Sequence, residues 1–252
     1  MQARNVLITG ATSGIGEATA RLLAKNNYNL ILCGRRRERL AKLQAELSGH
    51  TKIITLAFDV RDYKAVKTAL HSLPAEWKKI DILINNAGNA HGLGPIQTGD
   101  VDDWDAMVDI NVKGLLYVSR EVMPGMTQQM SGHIINIGSI AGKEVYPNGG
   151  VYCASKFAVD ALTKGMRLDL NPFGIKVTAI HPGLVETEFS LVRFKGDIEK
   201  AAAVYKGIEP LTGHDVAEII YYVLSAPDHV VLADIVVFPK AQASSTLVKR
   251  EG

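Results

Sequence analysis

Tyr152 and Lys156, in the run Tyr152-Cys153-Ala154-Ser155-Lys156, set a phenol and an ammonium at i and i+4. On a helix that spacing puts both groups on one face. A free tyrosine, with a pKa near 10, donates or accepts protons poorly at neutral pH, and a nearby cation lowers that value by stabilising the phenolate. A positioned acid–base group contributes about 10²–10⁴ in rate. The same spacing also arises by chance, so its meaning rests on its neighbours. Lys156 lies angularly close to Val159, on the sheet-facing side of its helix, where an ammonium needs a polar partner. Ser139 follows the apolar run Ile134–Gly138. Its hydroxyl can hold a carbonyl oxygen beside the phenol, or simply cap a turn.

A second chemical element lies near the start of the chain. Thr9-Gly10-Ala11-Thr12-Ser13-Gly14-Ile15-Gly16 follows an apolar run and opens a helical pattern. Gly10 permits the tight turn, Gly14 lets backbone approach a phosphate, and Gly16 allows close helix–sheet packing. The helix N-terminus offers free N–H groups to a pyrophosphate. After the second apolar run comes Cys33-Gly34-Arg35-Arg36-Arg37, where a nucleotide fold meets the adenosine ribose. No acidic residue stands there to bind a 2′-hydroxyl. Arg35 and Arg36 are therefore read as partners of a 2′-phosphate, implying NADP(H), although they also fit a solvated helix start.

These residues need a scaffold. Apolar runs at Asn5–Thr9, Asn29–Cys33, Lys52–Phe58, Ile80–Asn85, His133–Ile137, Lys176–Ile180 and Val230–Phe238 read as strands. Several lack polar alternation, as strands buried on both faces do. Helical patterns such as Gly16–Lys25 and Val151–Leu170 fall between them. The alternation implies an α/β fold: one doubly wound, Rossmann-type domain spanning residues 1–252, with about seven parallel strands in the order 3-2-1-4-5-6-7 and helices on both faces. Residues 186–210 form an excursion suited to a substrate lid, and 241–252 a polar tail that could cross to a neighbouring subunit.

Composition narrows the function. The 252 residues carry 28 Lys+Arg against 26 Asp+Glu, and 47% are hydrophobic. Disorder is excluded, and a net charge of +2 argues against nucleic acid as the main partner. No apolar run approaches the roughly 18 residues of a membrane span, and there is no secretory leader or metal-binding cysteine spacing. Cys33 and Cys153 read as free thiols in a reducing cytoplasm.

Together these motifs resemble the short-chain dehydrogenases/reductases with a Thr-Gly-x-x-x-Gly-x-Gly turn. The resemblance runs from about Asn5 to Phe238 and includes Asn85-Asn86-Ala87-Gly88, Asn111, Ser139, Tyr152 with Lys156, Pro182-Gly183 and Thr187. It implies that Tyr152 is the acid in reduction and the base in oxidation. Lys156 would lower the Tyr152 pKa and bind the nicotinamide ribose, Ser139 would polarise the substrate oxygen, and Asn111 would support a proton relay. Asp59 and Val60 would contact the adenine side, while Asn86, Ala87 and Gly88 would line the cleft. Pro182, Gly183, Leu184, Val185, Thr187 and Phe189 would wrap the nicotinamide and pyrophosphate. Asn86 and Asn111 could equally brace backbone.

Ser72–Trp77 and Pro182–Asp197 further resemble the NADP-dependent 3-hydroxy acid dehydrogenase branch, which includes serine and L-allo-threonine dehydrogenases and is typically tetrameric. A substrate of this kind brings a carboxylate close to the reacting carbon. Arg193, with Lys195 second, is the expected anchor, since an Arg fork binds carboxylate bidentately; an exposed basic lid face is the alternative. His91 and His181 stand in loops and read as ordinary polar residues. Two other functions compete: a general carbonyl reductase of 3-oxoacyl or sugar type, and a non-catalytic NADP-binding regulator.

Overall fold

The computed structural model describes residues 3–251. Seven parallel strands form the main sheet: β1 Asn5–Thr9, β2 Asn29–Gly34, β3 Ile53–Ala57, β4 Ile82–Asn85, β5 Gly132–Ile137, β6 Ile175–Pro182 and, after a minor ladder, β9 Asp234–Val237. Their order is β3-β2-β1-β4-β5-β6-β9, the expected order when sheet strands are counted along the chain. The minor ladder pairs β7 Val185–Glu186 with β8 Leu211–Thr212. The last main strand is shorter than the apolar run Val230–Phe238, since its ladder with β6 covers only Asp234–Val237.

Successive strand residues enter opposite cores, so the apolar runs do not alternate with polar residues. Val6, Ile8, Leu30 and Leu32 pack with α1 (Gly14–Lys25), α2 (Arg37–Leu47) and, near the chain's end, α9 (Gly213–Ser225). Leu7, Ile31, Leu83 and Ile134 pack on the other face with α3 (Tyr63–His71), α5 (Leu115–Gln129) and α6 (Gly150–Leu170). Each fully buried Leu or Ile contributes roughly 1.5–3 kcal/mol. Before α5, α4 (Val101–Val108) runs into a π-helical turn, Asp109–Gly114, which carries Asn111. The excursion holds two short helices, α7 Glu188–Arg193 and α8 Ile198–Ala203.

The tail folds back against its own chain. Gln242 Oε1 accepts from the Leu184 N–H at 2.8 Å, and the Glu251 N–H donates to the Gly207 carbonyl at 2.8 Å. The sheet reverses its winding between β1 and β4, where open α/β sheets place their ligand crevice.

Candidate active site

A cleft of about 560 Å³ lies over the carboxyl ends of β1, β4, β5 and β6. Its floor is the glycine turn. Gly10 and Gly14 take φ of +66° and +54°, a region that side-chain-bearing residues rarely enter. A Cβ on Gly16 would collide with the Gly10 carbonyl and the Asn86 amide. Asn86 ties β1 to β4: its Nδ2 donates to Thr9 O at 3.0 Å and Gly10 O at 3.2 Å, and its N–H donates to Thr9 Oγ1 at 3.0 Å.

The expected proton-transfer residues converge on one wall. Tyr152 and Lys156 rise from α6 and are buried. Ser139 caps a short turn after β5, its Oγ accepting from the Ala141 N–H at 3.1 Å. Burial pushes the Tyr152 phenol above the usual tyrosine range and Tyr146 adds to this, while the Ser139 hydroxyl and Arg193 guanidinium pull it back. Burial also pushes the Lys156 ammonium down to about 8. Its Nζ donates to the Ile137 carbonyl at 3.0 Å. The Arg193 guanidinium acts on the phenol, with Cζ 5.6 Å from the ring centroid.

Asn111 stands behind this wall. Its Nδ2 donates to the Asn89 carbonyl at 2.8 Å and to Ser155 Oγ at 3.0 Å, and its Oδ1 accepts from the Asn89 N–H at 2.9 Å. A Cβ on Gly88 would sit 2.9 Å from that Oδ1 and 3.5 Å from Lys156 Nζ, so the glycine leaves room for both side chains. Asn111 therefore braces the 88–89 turn beside Lys156 without lining the cleft.

At the nucleotide end, Arg36 Nη2 donates to Thr12 Oγ1 at 2.9 Å and to Ser13 Oγ at 2.8 Å. Arg35 is more exposed, with Nη1 3.6 Å from Asp59 Oδ2. Sequence reading passed over Arg39 and Glu188 here. They are bonded at 2.7 Å, and Glu188 also bonds Arg36 at 2.8 Å. Partners 149 and 152 residues apart leave no local pattern.

At the substrate end, Pro182, Gly183, Leu184, Val185, Thr187 and Phe189 all line the cleft. Arg193 closes α7 over them. Its Nε donates to the Gly92 carbonyl at 3.2 Å, its Cζ lies 5.6 Å from each of the Tyr146 and Tyr152 ring centroids, and its Nη2 is buried without a hydrogen-bond partner. Lys195 is not brought there. Its φ of +53° turns it out of the helix, and its ammonium bonds Asp100 at 3.2 Å and Asp103 at 3.0 Å. Of the residues expected to serve catalysis, cofactor or substrate, Gly16, Asn111 and Lys195 do not line the cleft; Tyr146, Gln242 and Arg250 line it without having been foreseen.

His181 is buried outside the cleft, with Nδ1 3.2 Å from the Ser139 carbonyl and Nε2 3.3 Å from Asp234 Oδ1. Asp160, His181 and Asp234 bring possible metal ligands within 4.8 Å of one another, but the Lys143 ammonium already bonds both carboxylates. This cluster steadies the segment that carries Ser139. His91 Nε2 pairs with Asn89 Nδ2 at 2.8 Å.

A hydroxyl, a high-pKa phenol and an ammonium around one cleft, above a glycine-lined phosphate cradle, can exchange a proton at a carbonyl or alcohol oxygen while a dinucleotide lies alongside. The sequence profile of the short chain dehydrogenases matches residues 4–196, and the chain belongs to that family. It is an oxidoreductase acting on CH–OH groups. Over 243 residues it is 46% identical to the NADP-dependent 3-hydroxy acid dehydrogenase YdfG of Escherichia coli (strain K12), covering 96% of this chain and 97% of that one. It is 45% identical to sulfoacetaldehyde reductase 2 of Chromohalobacter salexigens, with 95% and 96% covered. Among solved structures, the closed form of a serine dehydrogenase complexed with NADP+ superposes with a TM-score of 0.92 at 44% identity, covering 98% of this chain and 100% of that one. No helix among the described residues is long and apolar enough to cross a membrane.

Proposed function

We propose that the protein oxidises the 3-hydroxyl of small 3-hydroxy acids, and reduces the matching 3-oxo acids, using NADP. The observation that carries the acid specificity is the buried, unpartnered Nη2 of Arg193 beside the Tyr152 ring. A donor hidden from water without a partner is costly, and a substrate carboxylate would satisfy it. The names of the relatives agree, and a sulfonate would present the same anionic oxygens.

NADP, when bound, supplies a hydride acceptor or donor. The left-handed glycines at 10 and 14 and the Cβ-free Gly16 fit its pyrophosphate, with Thr12, Ser13 and Ile15 in the same turn. Arg36, with Arg35, receives the 2′-phosphate; Asp59 and Val60 face the adenine, and Asn86 to Gly88 with Pro182 to Phe189 hold the nicotinamide side. Ser139 donates to the substrate oxygen. Tyr152 gives that oxygen its phenol proton in reduction and takes it back in oxidation. A phenol held above its ordinary range is protonated at neutral pH, ready to act as the acid. Oxidation needs the phenolate, which Arg193 and Ser139 favour directly. Lys156 holds the nicotinamide ribose, and Asn111 orders the 88–89 backbone beside it. Two buried free thiols accord with a cytoplasmic setting, and the family resemblance with a homotetramer.

The test is an NADPH absorbance assay over serine, allo-threonine, 3-hydroxypropionate, sulfoacetaldehyde and a neutral alcohol of similar size. Preference for the anionic substrates is expected. Equal rates on the neutral alcohol point to a general carbonyl reductase, and NADP binding with no turnover points to a regulator; either result overturns the reading.

A further inference from the structure

We propose that Glu188 is a cofactor-specificity residue: from the first turn of α7 it occupies the guanidinium groups of Arg36 and Arg39, so the 2′-phosphate of NADP competes for them with the protein's own carboxylate. The proposal rests on the reading that Arg36 receives the 2′-phosphate, and adds two residues that this reading did not contain.

The geometry is specific. Glu188 Oε2 lies 2.8 Å from Arg36 Nη1 and Oε1 2.7 Å from Arg39 Nη1, so each carboxylate oxygen serves one arginine. Arg36 is held from the other side by Thr12 and Ser13, and Arg39 Nη1 reaches the Thr12 carbonyl at 3.5 Å. Both cations are therefore aimed at the phosphate-binding turn, and the anion between them comes from the lid. The flanking residues bind the same short helix to the rest of the cleft. A Cβ on Gly14 would sit 3.1 Å from the Thr187 side chain, and the Phe189 ring centroid is 5.7 Å from that of Tyr152.

A phosphate monoester carries about −1.5 to −2 charges and three acceptor oxygens at neutral pH, against one charge on a carboxylate. It can outbid Glu188 for the guanidinium groups, but the lost ion pairs and the proximity of two anions reduce its net affinity. NAD has a 2′-hydroxyl there and makes no such demand. Glu188 thus weakens NADP binding and leaves NAD binding alone. The three side chains are 40 to 47% exposed, so each pair is a modest interaction screened by salt.

Glu188→Gln keeps the shape and removes the charge, at a position exposed enough for the fold to tolerate it. Dissociation constants for NADP and NAD are measured by calorimetry on the full chain. The NADP constant is expected to fall about 3- to 10-fold, from the removal of two partly exposed pairs, with NAD unchanged and the NADP gain shrinking in high salt. Arg39→Ala is expected to weaken NADP alone. An unchanged or higher NADP constant in Glu188→Gln, or an equal gain for NAD, overturns the proposal. Arg36→Ala, measured alongside, separates the two levels. If it leaves the NADP-to-NAD ratio unmoved, the 2′-phosphate assignment has failed and this proposal falls with it. If it shifts the ratio while Glu188→Gln does not tighten NADP, only the competition is refuted.

Discussion

Arg193→Met isolates the substrate anchor. The methionine keeps an unbranched apolar stem between the Tyr146 and Tyr152 rings and removes the guanidinium, including the buried Nη2. A hydrogen bond to a charged group contributes about 1.5–3 kcal/mol, so kcat/KM for a 3-hydroxy acid should fall roughly 10- to 150-fold. A second effect runs in parallel. Arg193 pulls the Tyr152 phenol down, so its loss raises that pKa and moves the alkaline rise in oxidation to higher pH for every substrate. The ratio of losses on 3-hydroxypropionate and on a neutral alcohol of similar size removes this shared part. Initial rates of NADPH formation across pH give both quantities. Equal losses on the two substrates would refute the anchor, whatever their size. Lys195→Met is the control: its ammonium bonds Asp100 and Asp103, so an effect within about twofold is expected.

Other expectations follow from the same geometry. Tyr152→Phe should bind NADP nearly as the wild type does while turnover falls by about 10²–10⁴; substantial residual turnover would remove Tyr152 from the acid–base role. Gly16→Ala sets a methyl against the Gly10 carbonyl and the Asn86 amide, so NADP affinity should drop more than about tenfold, and calorimetry returning the wild-type value would contradict the cradle. His133 bears on acid stability, since burial pushes its imidazole down to about 3, against about 6.5 when unfolded. Between those values the unfolded chain binds the extra proton. Stability should therefore be complete above pH 6.5 and decline as pH falls through the window, by up to about 1.4 kcal/mol per unit. Urea midpoints of His133→Gln should fall less steeply between pH 7 and 5 than those of the wild type, and parallel slopes would refute the assignment.

The main sheet was legible because its strands are apolar on both faces: Asn5–Thr9 has the bounds in the fold that it has in the sequence. The last strand was overread, since Val230–Leu232 is as apolar as a strand but lies outside the ladder with β6. Within residues 186–210, α7 and α8 span six residues each, too few for a helical stripe to show. The glycine turn and the positions of Ser139, Tyr152 and Lys156 could be read from local pattern. What the pattern could not carry was direction. Arg193 and Lys195, two residues apart, face different surroundings. Glu188 pairs with Arg39 across 149 residues, and the tail reaches the cleft through a bond between residues 58 apart, separations that no short window contains.

The π turn at Asp109–Gly114 constrains chain length as well as residue type. Such a turn accommodates one residue more than a regular helix over the same rise. Were one residue deleted, the segment could relax to ordinary α winding with α4 and α5 still in register, because the turn holds the residue that is surplus to that winding. Leu115, Val118 and Val122 would then keep their places in the interior, while the local geometry that brings the Asn111 amide to Asn89 would be lost. A single codon lost here should therefore cost the bracing of the 88–89 turn far more than it costs the packing of α5.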